Sequence, residues 1–263
     1  MHLQSDYDLR LWRAPGTESL PGLHAVVTTR AGGESAAPFA SLNLGLSTGD
    51  DPNRVHANRD RVRRALGVSD LSLRLLRQVH GDRIWSAQEP DAVEGDGWWT
   101  DRSGVVLVVG VADCTPAFMW DVRRGTLALV HAGWRGTAAG ILGAGLALLR
   151  GQGSRPGDLR VALGPSIGPC CYPVSAEVAA RFPAAVVTLR DAALHLDLRA
   201  ANRLQAIAAG VAPEHIHAAP PCTGCESETF FSHRKHGPRS GRMWALMWRT
   251  PADASDDPVE SSA

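Results

Sequence analysis

Hydrophobic positions in this chain cluster into short apolar runs that are separated by glycine- and proline-rich loops. The stretches "GVVLVVGV" (104–111) and "TLALVHAGW" (126–134) are continuous apolar runs of the length expected for buried strands. Further strands are predicted near residues 24–33, around residue 80, at 158–163 and at 241–249. The pattern therefore indicates several short, mostly buried strands.

Helical spacing appears between these runs. Asp51 is predicted as an N-cap, with Pro52 at the first helical position, because apolar residues recur with helical spacing from Val55 until Gly67 ends the pattern. Three more helices are predicted at 135–150, 176–182 and 199–211. Strands mixed with helices, and loops at strand ends, predict one α+β or α/β domain.

The chain has 263 residues with 44% hydrophobic content, which is enough to bury a full core. No internal repeat or linker divides it, so a single catalytic domain is predicted over residues 1–250. The tail, residues 251–263, is small, acidic and proline-bearing, and it is predicted to be disordered.

Charge and cysteine usage narrow the functional classes. The 27 Lys and Arg residues balance 27 Asp and Glu residues, so the chain lacks the positive field of a sequence-independent nucleic-acid binder. No stretch of about 18 apolar residues predicts a membrane span, and no secretory segment is recognisable. The balanced charge favours a small or mixed-charge ligand, and the lack of such segments favours a cytoplasmic protein. Five cysteines, an odd number at low density, predict reduced thiols.

Three residues with reactive side chains fall where predicted strands meet loops: His80, Cys114 and His131. Two imidazoles and one thiolate form a three-ligand set that suits zinc and leaves a fourth position open, as catalytic sites require. Their spacing alone leaves three interpretations open: core residues, a nucleophile with its base, or metal ligands.

Longer motifs resemble those of a known family. They are "TTRAGG", "SLNLGL", "GDDPNRVHANRDRV", "LRQVHGDRI", "VADCTPAF", "VHAGWRGTAAGI", "LGPSIGPCCYPV", "DLRAANRLQ" and "CTGCESETFFSHRKHGPRSGRM". In this order, from about residue 28 to residue 243, they resemble the signature blocks of the purine nucleoside phosphorylase family formerly called multicopper polyphenol oxidase or laccase-domain proteins.

This resemblance implies a cytoplasmic enzyme that uses phosphate to cleave adenosine, inosine and S-methyl-5'-thioadenosine, and that also deaminates adenosine. It implies one zinc ion per chain, held by His80, Cys114 and His131. It also implies an α+β fold, a layered sandwich of mixed sheets and helices similar to the cysteine-hydrolase-like fold of deamidase toxins. The older copper-oxidase description is disfavoured, because several coppers need more ligands than one Cys and two His provide.

Other residues are candidates for supporting roles. Asp113, adjacent to Cys114, is a candidate proton carrier in catalysis. Arg135 with the backbone of Gly136 and Thr137, at a predicted helix start, is a candidate phosphate site.

Several loop residues have both a structural and a substrate-binding interpretation. Asn43 and Arg59 could brace a loop by bonding each other or could contact substrate. Ser166 and Cys171, in a loop that also carries Cys170 and Tyr172, could reach a nucleoside. The basic run between residues 233 and 242 is either a solvated face or a phosphate-recruiting surface.

Two other functional classes stay open at this point. In the first, Cys114 is the nucleophile of a metal-free amide hydrolase with His131 or His80 as base, which would fit peptidoglycan editing. In the second, zinc only stabilises a binding protein. The motif "CTGC" (222–225) has the spacing of half a zinc ribbon or of a redox pair, but the sequence shows no second CxxC to complete a ribbon. The sequence allows a monomer among other oligomeric states and does not rank the nucleosides.

Overall fold

The computed structural model describes residues 3–6, 9–90, 93–218 and 220–250, with side chains from residue 9 onwards. The tail predicted to be disordered lies outside the described residues.

The described strands form three sheets. The first sheet has six strands in the spatial order β1 (Leu3–Asp6), β2 (Leu9–Arg13), β3 (Leu23–Thr28), β15 (Met243–Arg249), β7 (Val105–Val111) and β4 (Ser72–Arg74). The second also has six, in the order β14 (Ile216–His217), β10 (Leu159–Leu163), β8 (Thr115–Asp121), β9 (Leu127–Ala132), β6 (Gly97–Thr100) and β5 (Ile84–Ser86). A small third sheet contains β11 (Pro173–Val174), β13 (Ala193–Leu196) and β12 (Val187–Arg190).

The described residues form six α-helices. They are α1 (Pro52–Ala65), α2 (Trp134–Ala139), α3 (Ile141–Gly151), α4 (Ala176–Ala179), α5 (Leu198–Ala208) and α6 (His233–His236). The predicted cap of α1 is confirmed, because the Asp51 side chain accepts a hydrogen bond from the backbone N–H of Asn53. Within the described part of the chain, none of these helices has the length and apolar character needed to cross a membrane.

One predicted helix is in fact two. The stretch 135–150 is interrupted at Gly140, whose φ of 89° lies in the left-handed region that glycine adopts readily. This residue both ends α2 and precedes α3, so the two helices have different directions.

The main core lies between the two large sheets. Alternate residues of β8 show how it is built: Phe118 and Trp120 face the first sheet, where they pack in one cluster with Val109 and Met247. Both faces of β7 and β8 are buried, which explains why their sequences read as continuous apolar runs.

The outer faces of the sheets are covered by helices. Ala117 and Met119 of β8 pack with Leu142 and Leu146 of α3, while α1 covers the other sheet through Val62. The layers are therefore helix, sheet, sheet and helix, and the predicted layered α+β sandwich of mixed sheets is confirmed.

Near the site, one predicted strand is absent and one observed strand was not predicted. The strand expected around His80 is wrong: β4 ends at Arg74 and β5 begins at Ile84, so His80 lies in a loop. Strand β8 was not predicted at all. Because β8 begins at Thr115, Cys114 lies in the short link where the chain passes from β7 in one sheet to β8 in the other.

Candidate metal centre

Cys114 and His131 lie at one end of the second sheet. Pro116 of β8 pairs with His131 of β9, and Thr115 pairs with Ala132, so the residue just before β8 lies beside the end of β9. The link that carries Cys114 is tight, because its neighbour Asp113 has a φ of 83°. The predicted position of His131, at a strand end just before a helix, is confirmed.

His80 reaches the same place from the loop between β4 and β5. Its φ of 60° is left-handed, a conformation that needs support in a residue other than glycine. The support comes from Asp96, which accepts hydrogen bonds from the backbone N–H groups of Val79, His80 and Gly81 at 3.2, 3.0 and 2.7 Å.

The three side chains form a compact cluster. Their potential ligand atoms all lie within 4.8 Å of one another. The rings of His80 and His131 are edge to face, with centroids 4.8 Å apart. Gly133 leaves room for them: a Cβ there would lie 3.0 Å from Cys114 Sγ and 3.1 Å from His80 Cδ2.

Asp96 is a site residue that the sequence analysis missed. It is fully buried, and its Oδ1 lies 2.8 Å from Nδ1 of His131. Its carbonyl also accepts a hydrogen bond from the His131 backbone at 2.7 Å. The only sequence signal was an acidic residue in "EGDGWW" directly before β6, within a stretch interpreted as a loop.

The site favours ionised forms of Cys114 and His131. Burial raises the pKa of the Cys114 thiol, but the charge of His131 and hydrogen bonds from both histidines outweigh burial and lower it to about 6. Burial lowers the pKa of His131, while Cys114 and Asp96 raise it to about 9. The Asp96 carboxyl has a lowered pKa because its hydrogen bonds and the charge of His131 outweigh its burial.

This donor set fits zinc. One thiolate and two imidazoles supply three ligands, and the buried carboxylate on Nδ1 of His131 leaves the other ring nitrogen for the metal. His80 is exposed, Cys114 is half-buried and His131 is buried, so the cluster is open on one side to solvent. A substrate can approach from that side.

Asp113 has a structural role that does not match its predicted one as a proton carrier. Its Oδ1 accepts a hydrogen bond from the Thr223 hydroxyl and its Oδ2 accepts one from the backbone N–H of Arg234, both at 2.6 Å. Both carboxylate oxygens are thus engaged, and the residue is 7% exposed. Asp113 ties the segment at 223–234 to the link that carries Cys114.

The predicted phosphate site at the start of α2 is only partly available. Thr137 is buried, and its hydroxyl and carbonyl accept hydrogen bonds from Asn202 and Gln205 of α5. Gly136 is buried against the carbonyl of Gly81. Arg135 is exposed and lies over the Trp134 ring at 4.3 Å, so it alone presents a side chain to solvent.

Asn43 and Arg59 brace loops through partners other than each other. Asn43 is fully buried, and its Oδ1 accepts a hydrogen bond from the backbone N–H of Arg242 at 2.8 Å. Arg59 donates two hydrogen bonds to the Leu44 carbonyl and lies over Trp244. The structural interpretation of both residues is therefore favoured over direct substrate contact.

Ser166 and Cys171 have their contacts outside the cluster of His80, Cys114 and His131. Ser166 is fully buried, and its hydroxyl and carbonyl accept hydrogen bonds from the Arg199 guanidinium. Cys171 lies in a second group of sulfurs with Cys170, Cys222 and Cys225. The predicted substrate contacts of Ser166 and Cys171 are not supported by this placement.

A cavity of about 320 Å³ lies near the candidate metal centre, since the charge of Cys114 acts on Tyr172 in its lining. Its lining includes Trp134, three residues after His131, and Arg234, whose backbone binds Asp113. The remaining lining is Tyr172, Pro173, Val174, Ser175 and Val178. A larger cavity of about 530 Å³ lies around Asp121, at the far end of β8 from Cys114.

One arginine, Arg234, lines this smaller cavity, and two others lie near it or near the metal centre. Arg234 lies 4.9 Å from the Tyr172 ring, and Arg181 lies 5.8 Å from the Trp134 ring. Arg242 is close enough to Cys114 and Asp113 for their charges to offset part of the burial that lowers its pKa. Within the basic run at 233–242, Arg234 and Arg242 therefore face the site.

Comparison with known proteins identifies the family. The sequence pattern of multi-copper polyphenol oxidoreductase laccase matches residues 24–250. The chain belongs to that family. The resemblance seen in the sequence motifs is thereby confirmed.

Relatives in the laccase family carry purine-nucleoside names. The purine nucleoside phosphorylase YlmD of Geobacillus stearothermophilus is 40% identical over 262 residues, which cover 92% of this chain and 96% of the relative. Adenosine deaminase RL5, from an unknown prokaryotic organism, is 35% identical and covers 88% of this chain and 96% of its own length. The crystal structure of YlmD superposes with a TM-score of 0.87 over 94% of this chain and 98% of that one.

Proposed function

We propose that this chain is a zinc-dependent purine nucleoside phosphorylase with adenosine deaminase side activity. The proposed substrates are phosphate with adenosine, inosine or S-methyl-5'-thioadenosine. The products of phosphorolysis are the free base and ribose 1-phosphate, or its methylthio analogue. The names of relatives such as YlmD and adenosine deaminase RL5 support this class of substrate.

One observation carries the proposal. The open donor set of His80, Cys114 and His131 lies near a cavity that offers two aromatic rings together with the Arg234 side chain. Aromatic rings suit a flat purine base, and guanidinium groups suit phosphate. The apolar side chains of Val174 and Val178 also suit a methylthio group.

Zinc, when bound, supplies a Lewis acid that polarises oxygen ligands and favours ionised water near neutral pH. The protein's own residues fix the site for this chemistry. Asp96 orients His131 through Nδ1 and holds the His80 loop through three backbone hydrogen bonds. The lowered pKa of Cys114 keeps its sulfur in the anionic form that binds a metal.

Phosphorolysis requires the bond between ribose C1' and the purine nitrogen to break while a phosphate oxygen bonds C1'. The ribose becomes positively charged in the transition state, and the departing base takes the proton that the attacking monohydrogen phosphate gives up. In this proposal Arg135 and Arg234 would hold the phosphate dianion, whose charge would in turn stabilise the ribose cation. Trp134 and Tyr172 would hold the base.

Copper oxidation of phenols is disfavoured, although the family name refers to it. The two candidate metal groups in the described part of the chain contain only two histidines between them. Multicopper sites need several histidine-rich ligand sets.

The experiment is incubation with inosine, with and without phosphate, followed by product analysis. Wild type should release hypoxanthine and ribose 1-phosphate only with phosphate, and Cys114→Ala and His80→Ala should lose this activity together with one zinc per chain. His56→Ala, which changes an exposed histidine on α1, is the matched control and should keep both. Phosphate-independent or absent turnover of inosine by zinc-loaded wild type would overturn the proposal.

A second candidate function rests on the order Cys114, His131, Asp96, which matches a nucleophile, its base and an orienting carboxylate. A metal-free amide hydrolase, for example one that edits peptidoglycan precursors, would use this order. The implied kinship with deamidase toxins remains a prediction and favours the same candidate.

Alkylation of the native protein separates the candidates. A zinc ligand is protected from iodoacetamide until the metal is removed, whereas a nucleophilic Cys114 reacts at once. If zinc were only a stabilising ion of a binding protein, removing it would unfold the chain without any turnover to lose. We also propose a cytoplasmic location, because the family resemblance implies one. The five free thiols in the structure are consistent with a reducing compartment.

A further inference from the structure

Four cysteines form a cluster separate from the candidate metal centre. Cys170 and Cys171 lie in the loop after β10, while Cys222 and Cys225 lie in the loop after β14. Their sulfur atoms all lie within 4.8 Å of one another. The structure thus supplies the partner that the "CTGC" motif lacked in the sequence.

The distances between the sulfurs match tetrahedral coordination. Cys170 Sγ lies 3.5 Å from Cys222 Sγ and 3.3 Å from Cys225 Sγ, and Cys171 Sγ lies 3.5 Å from Cys225 Sγ. With zinc–sulfur bonds of about 2.3 Å, the edges of a regular tetrahedron are about 3.8 Å long. A disulfide would require about 2.05 Å, so these sulfurs are grouped but not bonded in pairs.

Backbone donors favour the thiolate form of one member of the cluster, Cys222. The N–H of Gly168 donates a hydrogen bond to Cys222 Sγ at 3.1 Å, and the backbone of Cys225 also hydrogen-bonds that sulfur. The Arg199 guanidinium is adjacent, since one of its nitrogens would lie 3.1 Å from a Cβ on Gly168. Sulfur ligands of metals are commonly supported by such outer donors.

We propose that Cys170, Cys171, Cys222 and Cys225 bind a second zinc ion as a closed, four-thiolate structural site. Four protein ligands leave no open position, in contrast to the three-ligand centre at Cys114. Four thiols lose their protons to the solvent as the metal binds, which makes the affinity depend on pH. Without zinc, Cys170 and Cys225 would be exposed thiols beside two others, an arrangement that oxidises readily.

The position of this site gives it a role in shaping the cavity. Zinc here would join the loop that carries Tyr172 to the loop that carries Thr223, the residue that donates a hydrogen bond to Asp113. The second zinc would therefore stiffen one wall of the cavity without touching a substrate there.

Both loops are also held by contacts that need no metal. Arg199 donates hydrogen bonds to the carbonyls of Ser166, Pro220 and Pro221, and His195 Nδ1 lies 2.6 Å from the Pro169 carbonyl. A single cysteine substitution should therefore remove the metal without unfolding the domain.

The first test is elemental analysis of protein purified under reducing conditions. We expect two zinc ions per chain in wild type, one in Cys225→Ser, one in Cys114→Ser and none in the double variant. Cys225→His should keep two, because histidine can replace an exposed thiolate ligand. A Cys225→Ser variant that retains the full wild-type zinc content would overturn the proposal.

These variants also separate this site from the proposed catalytic zinc. If the centre at Cys114 binds no zinc, Cys114→Ser will match wild type while Cys225→Ser still loses one ion. Replacement of zinc by cobalt gives a second readout, because near-ultraviolet thiolate-to-cobalt absorption should be much stronger for four thiolates than for one.

A measurement on unmodified wild type guards against variants that fail to fold. In native protein, iodoacetamide followed by peptide mass spectrometry should leave all four cysteines unlabelled until a strong chelator is added. Rapid labelling of zinc-loaded protein, or a mass lower by two hydrogens per pair because of disulfides, would overturn the proposal.

Discussion

The Asp96 carboxylate lies 2.8 Å from Nδ1 of His131 and joins the two histidines of the candidate metal centre. The same carboxylate accepts hydrogen bonds from the backbone N–H groups of residues 79–81, and one of these groups belongs to His80. A single buried side chain thus sets the direction of one ligand and the backbone of another.

We expect Asp96→Asn to weaken zinc binding and turnover by about 10- to 100-fold, because outer-shell carboxylates have effects of this size. The amide keeps the volume but loses the charge that favours protonated Nδ1. Zinc affinity is measured by competition with a chelator, and turnover with inosine. Asp82→Asn changes an exposed carboxylate in the same loop and serves as the control; equal effects of the two variants would contradict the assignment.

Gly133→Ala tests the space between Cys114 and His80. The φ of −75° at Gly133 suits any residue, so the effect comes from the added Cβ, which would lie 3.0 Å from the Cys114 sulfur. We expect zinc affinity to fall by roughly tenfold, since small displacements of reacting groups have large effects.

Gly143→Ala is the matched control for that variant. A Cβ at residue 143 of α3 would meet only Gln205 Oε1, at 3.9 Å. Because alanine favours helix over glycine by about 1 kcal/mol, this variant should keep full zinc content and gain stability. A Gly133→Ala variant with unchanged zinc affinity would show that the site tolerates the displacement.

The pH dependence of Cys114 alkylation tests the charge state of the metal-free site. The pKa of Cys114 is lowered to about 6, and thiolate is the reactive form, so the rate should rise as the pH increases through about 6. An ordinary cysteine would show this rise at about pH 8.5. The rate is followed at each pH by mass spectrometry of the peptide that contains Cys114.

In His131→Ala, the rise in alkylation rate should occur at a higher pH than in an ordinary cysteine. Removing the imidazolium charge leaves burial as the largest influence on the thiol, and burial raises its pKa. An unchanged midpoint in this variant would mean that His131 does not stabilise the thiolate.

Asp113→Asn distinguishes a brace from a proton carrier. The structure has Asp113 binding Thr223 and Arg234 at 2.6 Å each, so the variant should lose about 1–3 kcal/mol of stability and show a higher KM with an unchanged pH profile. Thr223→Val leaves the carboxylate intact and should give the same kind of change. If Asp113→Asn abolishes turnover while Thr223→Val leaves it normal, Asp113 is a proton carrier.

The parts of the fold that local patterns determine were predictable. The N-cap Asp51 and the buried runs of β7 and β9 are signals contained within a few residues. Gly140 was harder, because the apolar spacing continues through it while its backbone conformation does not.

Cys114 and His131 were predictable because they lie at strand ends, and His80 was predicted as a site residue although it lies in a loop. Asp96 was missed because it acts on a residue 35 positions away, and no local pattern shows this contact. The four-cysteine cluster was not predicted for the same reason. Cys170 and Cys222 are 52 positions apart, and only the tertiary fold brings them together.

The proposed ligands at positions 80, 114 and 131 come from three separate segments, and one of these is the crossing between the two large sheets. Zinc bound here would therefore bind the folded chain and not the unfolded one, so folding becomes linked to metal supply. At free zinc 100 times the dissociation constant, this linkage adds about 2.7 kcal/mol to stability. A cell short of zinc would then lose the protein itself as well as its activity, since an unfolded chain is open to proteolysis.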